Sequence, residues 1–295
     1  VAIRRPNMKT HTDATEVFDI SAGTSTNQTP FPVDMFIRGH TAGGGDNELL
    51  ARLLGNNRLD TNKTSAEAAV GYDAFGSNTS AGGSGWGTGY VFWNWKRAKG
   101  YFDVVAYTGT GSARTVAHGL TVVPEMMWVK QRPNSSDWRV YHSALGNAKV
   151  LVLNTDAASA NLTSAWNSTT PSSTVFTLGS SNDVNENNLG HVAYLFATLA
   201  GISKVGSVTH SGSSTDVDCG FSAGARFVLL KRTDASGDWY TWDSARGIIA
   251  GNDPYLLLND PAAQVTNTDL IDPLASGFQI SGDFTDGDYI FYAIA

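Results

Sequence analysis

The chain has 295 residues, a formal net charge of −7, a pI near 5.3 and a single cysteine. The acidic balance and the lack of a basic run argue against a nucleic-acid partner, and one cysteine excludes an intramolecular disulfide framework or a cysteine-rich zinc site. No apolar run approaches the ~18 residues of a membrane span, so we expect no membrane insertion. Low charge, with many glycines and aromatic residues, favours a β-rich fold with numerous turns.

Residues 1–99 are predicted to form an N-terminal linker and a divergent first repeat. The stretch DNELLARLLG, Asp46–Gly55, is the one helical-looking segment, because four leucines share a face between a capping Asp46 and a terminating Gly55. It could instead form two turns within a β unit. The later AGGSGWG, Ala81–Gly87, is typical of a flexible loop.

Residues 100–200 and 201–295 are predicted to be a second and a third repeat. Asp137–Trp138 matches Asp238–Trp239 at an offset of 101 residues, and each pair opens a strand-like run. A short LxLN motif follows in both segments. A fainter copy of the pattern lies upstream without the tryptophan. We therefore predict an all-β chain of three tandem β-sandwich-like repeats of ~95 residues, with at most one short helix in the first.

The repeated tryptophan begins a strand with two different faces. In DWRVYHS, Trp138 and Val140 alternate with Arg139 and Tyr141, and the DWYTWDS copy alternates in the same way. This pattern indicates a core or half-buried sheet residue that was copied with its repeat. A sugar-stacking platform is the alternative, since aromatic faces also pack on carbohydrate C–H groups.

An ordered set of motifs in the second repeat resembles a known family. The motifs are YxGxG at Tyr107–Gly111, HGL at His118–Leu120, Pro124, MxxVK at Met126–Lys130, Trp138, LxLN at Leu151–Asn154 and YxFA at Tyr194–Ala197. They resemble an uncharacterised repeated domain near the C-termini of phage tail-fibre-like proteins, especially of marine phages. The third repeat has DCGFSAG in place of HGL and the proline, and the first lacks the glycine turn and the tryptophan. The resemblance implies a virion appendage and host adsorption, and it supplies no catalytic residue.

Signals for catalysis are weak. There is no GxSxG elbow, the glycine-rich TGTGS lacks a phosphate-loop lysine, and no two histidines have the spacing of metal ligands. We expect no enzyme activity, no cofactor and no metal. A polysaccharide depolymerase is the less favoured alternative. It needs two carboxylates about 5 to 9 Å apart, and the sequence does not show that any two acids lie together. The candidate acids are Asp137, Asp238, Asp243 and Asp272.

Two acidic turns carry the oxygen ligands that calcium prefers. DVNEN at Asp183–Asn187 and DFTDGD at Asp283–Asp288 alternate carboxylates with other polar residues. DVNEN lacks the glycine and the distal glutamate of an EF-hand loop, and DFTDGD is interpreted in the same way. Solvated hairpins are therefore the preferred interpretation, and calcium binding stays open.

The function predicted from these features is host-surface recognition by a phage tail fibre, through its distal, C-terminal part, in the virion and outside the cell. The expected partners are a host glycan or receptor and other virion proteins. The alternative is a structural tail, neck or capsid component that binds only virion proteins. Loops should carry recognition. The candidate tracts are Thr41–Asp46, Asn78–Trp86, Ala157–Ser173 and Ser181–Asn188, with Trp86 and Trp166 as the first candidate ligand contacts.

The three repeats leave two assemblies open. The resemblance to tail fibres implies a homo-oligomer, with a trimer favoured. Three similar repeats in one chain could instead form a pseudo-threefold knob without partner chains. Because the first repeat has diverged most, we expect the three repeats to lie in unlike environments.

Overall fold

The computed structural model describes residues 10–295, and its strands repeat one plan three times along the chain. The first unit contains β1 (Phe18–Ala22), β2 (Thr26–Gln28), β3 (Met35–His40), β4 (Glu48–Ala51), β5 (Asn57–Asp60), β6 (Ala68–Ala69), β7 (Ser80–Ser84) and β8 (Tyr90–Trp95). The second unit contains β9 (Phe102–Thr108), β10 (Arg114–Ala117), β11 (Met126–Gln131), β12 (Arg139–His142), β13 (Lys149–Val152), β14 (Ala160–Asn161), β15 (Val175–Leu178) and β16 (Gly190–Phe196). The third unit contains β17 (Ser203–His210), β18 (Thr215–Asp218), β19 (Phe227–Arg232), β20 (Trp239–Asp243), β21 (Tyr255–Leu257), β22 (Ile271–Leu274), β23 (Gly277–Ile280) and β24 (Gly287–Ile294).

Helices are few and short. Residues 10–295 contain two α-helices, α1 (Thr163–Trp166) and α2 (Asn182–Asn185), and both lie in the second unit. Single 3-10 turns occupy Ala14–Glu16, Arg52–Leu54 and Ser143–Leu145. The all-β prediction is confirmed.

Each unit pairs a large inner sheet with a small outer sheet, and every strand pairing is antiparallel. The inner sheets run β1-β8-β3-β4-β5-β6, β9-β16-β11-β12-β13-β14 and β17-β24-β19-β20-β21. The outer sheets run β2-β7, β10-β15 and β18-β23-β22. The same strand order in all three inner sheets shows that the repeat is structural. The third unit departs from the plan by lacking a sixth inner strand and by adding β22 to its outer sheet.

The segment Asp46–Gly55 forms a strand and a 3-10 turn, so the helical interpretation is wrong. Strand β4 pairs with β3 and β5, and its two leucines point to opposite faces of the sheet. Leu49 enters a core shared by the units, whereas Leu50 enters the core of the first unit. A leucine run buried on both sides of a sheet has no single helical face, and its spacing is ambiguous in so short a stretch.

The inner faces of the three large sheets meet in one central core. Large buried side chains from every unit contribute to it, including Trp93 and Trp95 from the first, Trp128 and Trp138 from the second and Trp239 from the third. The outer face of each large sheet packs with its small sheet around a core of that unit's own residues. The central strands of the inner sheets therefore have two buried faces, and Trp138 and Trp239, at the start of the repeated strand, face the centre of the molecule.

Equivalent positions confirm the match between the repeats. The Trp138 backbone N–H donates to Asn154 Oδ1 at 2.9 Å, and the Trp239 N–H donates to Asn259 Oδ1 at 2.8 Å. The first unit makes the same bond from Asn47 to Asn62 Oδ1 at 3.1 Å. Asn47 therefore stands where the other units carry tryptophan.

The units close into a ring through equivalent hydrogen bonds. The backbone bonds run from Glu67 N to Arg132 O at 2.7 Å, from Ser159 N to Thr233 O at 3.0 Å and from Gln264 N to Thr41 O at 3.0 Å. Side-chain bonds run in the opposite sense, from Trp138 Nε1 to Asp60 O at 3.0 Å, from Trp239 Nε1 to Val152 O at 2.9 Å and from Asn47 Nδ2 to Leu257 O at 2.8 Å. Each unit thus contacts both others through the same positions, with pseudo-threefold symmetry. The expectation of unlike environments for the three units is wrong.

Two joints of the ring carry a buried lysine, and the third does not. Burial lowers the pKa of both Lys130 and Lys231 to about 8. Each ammonium group donates to backbone carbonyls of its own unit and of the preceding one, which compensates its desolvation. The acceptors are Thr64 and Ser136 for Lys130, and Asp156, Ala157 and Gly237 for Lys231. The first unit has Gly39 at this place, where an added Cβ would lie 2.8 Å from Leu256 Cδ1 of the third unit.

Candidate ligand-binding surface

Trp166, one of the two predicted ligand contacts, lies inside the core of the second unit. Its side chain is fully buried and packs edge-on against Tyr141 with ring centroids 5.8 Å apart. Its indole N–H donates to Lys149 O at 3.0 Å. A fully buried ring offers no face to a ligand, so the interpretation of Trp166 as a contact residue does not fit the structure.

Trp86, the other predicted contact, is half-buried at the outer surface of the first unit. Its indole N–H donates to Gly83 O at 3.0 Å, and Tyr72 packs edge-on against its ring at 5.1 Å. The Arg38 guanidinium lies 4.1 Å from the ring centroid, within the range of a cation–π contact. The neighbours on these sides hold the ring in a fixed orientation while it keeps part of its surface in solvent.

A buried ionic cluster supports Arg38 beneath the tryptophan. Glu48 forms ion pairs with both Arg38, at 2.5 Å, and Arg58. Asp60 lies beside Arg58 at 3.5 Å, and burial is the main cause that raises the pKa of this carboxyl. Paired charges of this kind fix side-chain geometry more than they stabilise a fold. The cluster therefore orients Arg38 under the ring.

An open depression of about 400 Å³ lies beside this aromatic group, on the outer sheet of the first unit. Its lining is polar and rich in glycine: Thr26, Gln28, Asp73, Gly76, Ser77, Ser80, Gly82, Gly83 and Ser84. An added Cβ at Gly83 would lie 3.2 Å from Tyr72 and 3.5 Å from Trp86, so both rings lie against one residue of the lining. Small side chains in β7 thus leave room above the sheet and keep the rings close to it.

Several polar side chains of the depression have free hydrogen-bonding capacity. Those of Gln28, Ser80 and Ser84 make no hydrogen bond to other residues of the range 10–295. The outer sheet of the third unit differs, because Gln279 there donates to Asp216 across the strands at 2.5 Å. Unpaired amide and hydroxyl groups in a depression are available to a polar ligand.

The four predicted loop tracts have different roles in the structure. Asn78–Trp86 contains β7 and lines the depression. Thr41–Asp46 lies at the joint with the third unit, where Gly44 N donates to Pro261 O at 2.9 Å. Ala157–Ser173 contains β14 and α1, and Ser181–Asn188 contains α2. Of the four tracts, Asn78–Trp86 is the one that combines an exposed surface with a tryptophan predicted to contact ligand.

Three of the four candidate catalytic acids make hydrogen bonds or ion pairs within the fold. Asp137 and Asp238 each accept a hydrogen bond from the equivalent asparagine, Asn154 at 3.0 Å and Asn259 at 2.7 Å. Asp243 is fully buried, where it pairs with Arg246 at 2.6 Å and accepts from Trp93 Nε1 of the first unit at 3.0 Å. The fourth acid, Asp272, lies in β22.

Two further features bear on partners. Within residues 10–295, no group of three or more His, Cys, Asp or Glu side chains is placed to hold a metal ion. Asp183, in the first of the two acidic turns, pairs with Arg139 at 2.6 Å. In the same described range, no helix is long and apolar enough to cross a membrane.

The fold defines a class, namely a closed all-β body of three pseudo-equivalent units, each with a large inner sheet and a small outer sheet. The chain belongs to the family described as a domain of unknown function, DUF7483, which matches residues 51–295. The match begins in the first inner sheet and includes the second and third units completely. The family therefore spans more than one repeat. No curated protein matches the chain in sequence.

Proposed function

We propose that this chain is a non-enzymatic recognition protein of a phage virion, the distal part of a tail fibre, and that it binds a glycan of the host surface. The observation that carries the proposal is the depression on the first unit. It lies beside a half-buried tryptophan that donates to its lining residue Gly83, and it carries polar side chains that make no hydrogen bond to other residues of the range 10–295. Aromatic faces and hydroxyl or amide side chains together are the chemistry that binds sugars.

The architecture suits recognition from a rigid support. The central core and the inter-unit hydrogen bonds hold the inner sheets in place, while the outer sheets differ among the units in strands and side chains. Function commonly lies in such a variable surface on a conserved scaffold. The ring also means that one chain completes its own core. A homo-oligomer, as the resemblance implies, would have to use other surfaces.

The test is competition for adsorption to host cells. Purified chain at increasing concentration should reduce the adsorption rate of intact particles, because both would occupy the same receptor. Periodate oxidation of the cells, which cleaves vicinal diols of glycans, should abolish binding of the chain, whereas protease treatment of the cells should not.

Failure to compete, with no binding to untreated cells, would contradict host recognition and favour the structural virion component instead. Binding that is lost on protease treatment but survives periodate would keep recognition and replace the glycan by a protein receptor. Release of reducing sugar from host polysaccharide would contradict the non-enzymatic assignment.

A further inference from the structure

The charges around the depression restrict the kind of sugar that it can accept. Among its lining residues Asp73 is the one ionisable side chain, and none is cationic. Two arginines lie near these residues, and both are engaged elsewhere. Arg38 is buried beneath Trp86 and paired with Glu48, while Arg52 donates to Val33 O and Phe75 O and lies 3.8 Å from Asp34. A uronate or sialate carboxylate in the depression would meet a like charge without a cationic partner, which is unfavourable.

The hydrogen-bonding groups match an uncharged polyol. The Gln28 amide and the hydroxyls of Thr26, Ser80 and Ser84 can each donate and accept, as the adjacent hydroxyls of a sugar ring require. Tyr72 and Trp86 lie against Gly83, next to the lining, where ring C–H groups of a bound sugar could reach them. A phosphate or sulfate group would find no arginine or lysine among the lining residues.

The equivalent outer sheets do not repeat this combination. In the second unit the outer sheet carries Arg114, and in the third Asp216 and Gln279 are bonded to each other. The chain would thus have one such site and not three, although its scaffold is pseudo-threefold.

We propose that the depression on the first unit binds one neutral hexopyranose residue of a surface glycan and discriminates against acidic sugars. This inference rests on the proposed function and adds the ligand class and the stoichiometry of one site per chain.

The experiment uses the whole chain, fluorescently labelled, on a printed array of neutral, amino and acidic bacterial glycans. Ser84→Tyr fills the depression from an exposed position that has no side-chain hydrogen bond. Thr177→Tyr is the matched control, because Thr177 pairs with Thr115 in the outer sheet of the second unit as Ser84 pairs with Thr26. Gln28→Ala removes one hydrogen-bonding group and should weaken binding about three- to tenfold.

The expected result is binding to neutral glycans, with a fitted stoichiometry of one in solution titration, lost in Ser84→Tyr and kept in Thr177→Tyr. Binding confined to acidic glycans, or equal binding by Ser84→Tyr and the wild type, would overturn this inference while leaving host recognition intact. No binding to any glycan, together with loss of competition on cells, would overturn the proposed function as well. Equal thermal midpoints for the three variants and the wild type would show that misfolding does not cause the loss.

Discussion

Replacing Trp239 by alanine tests whether the repeated tryptophan belongs to the core. The ring is fully buried in the central core, and its N–H donates to Val152 O of the second unit. Loss of a buried tryptophan should cost about 3–5 kcal/mol through lost packing and the cavity left behind. The unpaired Val152 carbonyl adds about 1 kcal/mol or more. We therefore expect a loss of about 4–6 kcal/mol in the free energy of unfolding.

Chemical denaturation followed by tryptophan fluorescence measures this change, with Trp239→Phe as the graded comparison. Phenylalanine keeps an aromatic ring in the core but cannot donate to Val152, so it should cost less than half as much as alanine. At about 2 °C per kcal/mol for a chain of this size, the alanine variant should melt roughly 8–12 °C lower. An unchanged melting temperature combined with lost cell binding would refute the core assignment and make Trp239 a ligand contact.

Three further predictions concern acid stability, the ring joint and assembly. Burial lowers the pKa of His142 to about 4. Between pH 6.5 and 4 the unfolded chain therefore binds a proton that the folded chain excludes, and unfolding free energy should fall by up to about 3 kcal/mol on acidification. His142→Asn keeps an acceptor for the Ala144 N–H, and chemical denaturation of this variant should show a smaller loss of unfolding free energy between pH 6.5 and 4. An equal loss in the variant and the wild type would show that His142 is not the group responsible. Gly39→Ala should lower the unfolding free energy by about 1–3 kcal/mol, because the added methyl group would clash with Leu256. This holds even though the other two units carry lysine at the same position. A variant as stable as the wild type would contradict the close contact. Because the core closes within one chain, light scattering should give the mass of one chain, 31.3 kDa, whereas three times that value would support the trimer that the resemblance implies.

The local features of the repeat could be predicted from the sequence. The alternation around Trp138 identified the two faces of β12 correctly, because a strand has a side-chain period of two and both cores select apolar residues. The matches of Trp138 with Trp239 and of Asn154 with Asn259 also hold, since they rest on the same backbone hydrogen bond. These features depend on a few neighbouring residues.

Features that depend on contacts between distant segments could not be predicted. Asn47 replaces tryptophan at its position in the first unit, and its equivalence appears only through the shared bond to Asn62 and the contact with Leu257. One signal in the sequence could have revealed the equivalence. Asp46 precedes Asn62 by nearly the same number of residues as Asp137 precedes Asn154, and each aspartate accepts a hydrogen bond from its asparagine. Ring closure itself involves residues about 210 positions apart, which no local pattern encodes.

The two predicted contact tryptophans show the same limit. Both lie in polar, small-residue tracts that are typical of loops. Trp166 enters the second unit's core because α1 turns it inward beneath Lys149, whereas Trp86 stays half-buried over Arg38. The difference is one of tertiary packing. Composition alone predicts that a tract is variable, not which way its aromatic side chain faces.

The most direct test of the central claim is equilibrium binding of the labelled chain to host cells, measured in parallel for Ser84→Tyr and Thr177→Tyr. We predict saturable binding by the wild type and by Thr177→Tyr with the same dissociation constant, and loss of binding by Ser84→Tyr at an unchanged melting temperature. Equal binding by all three proteins would show that the depression on the first unit is not the recognition surface.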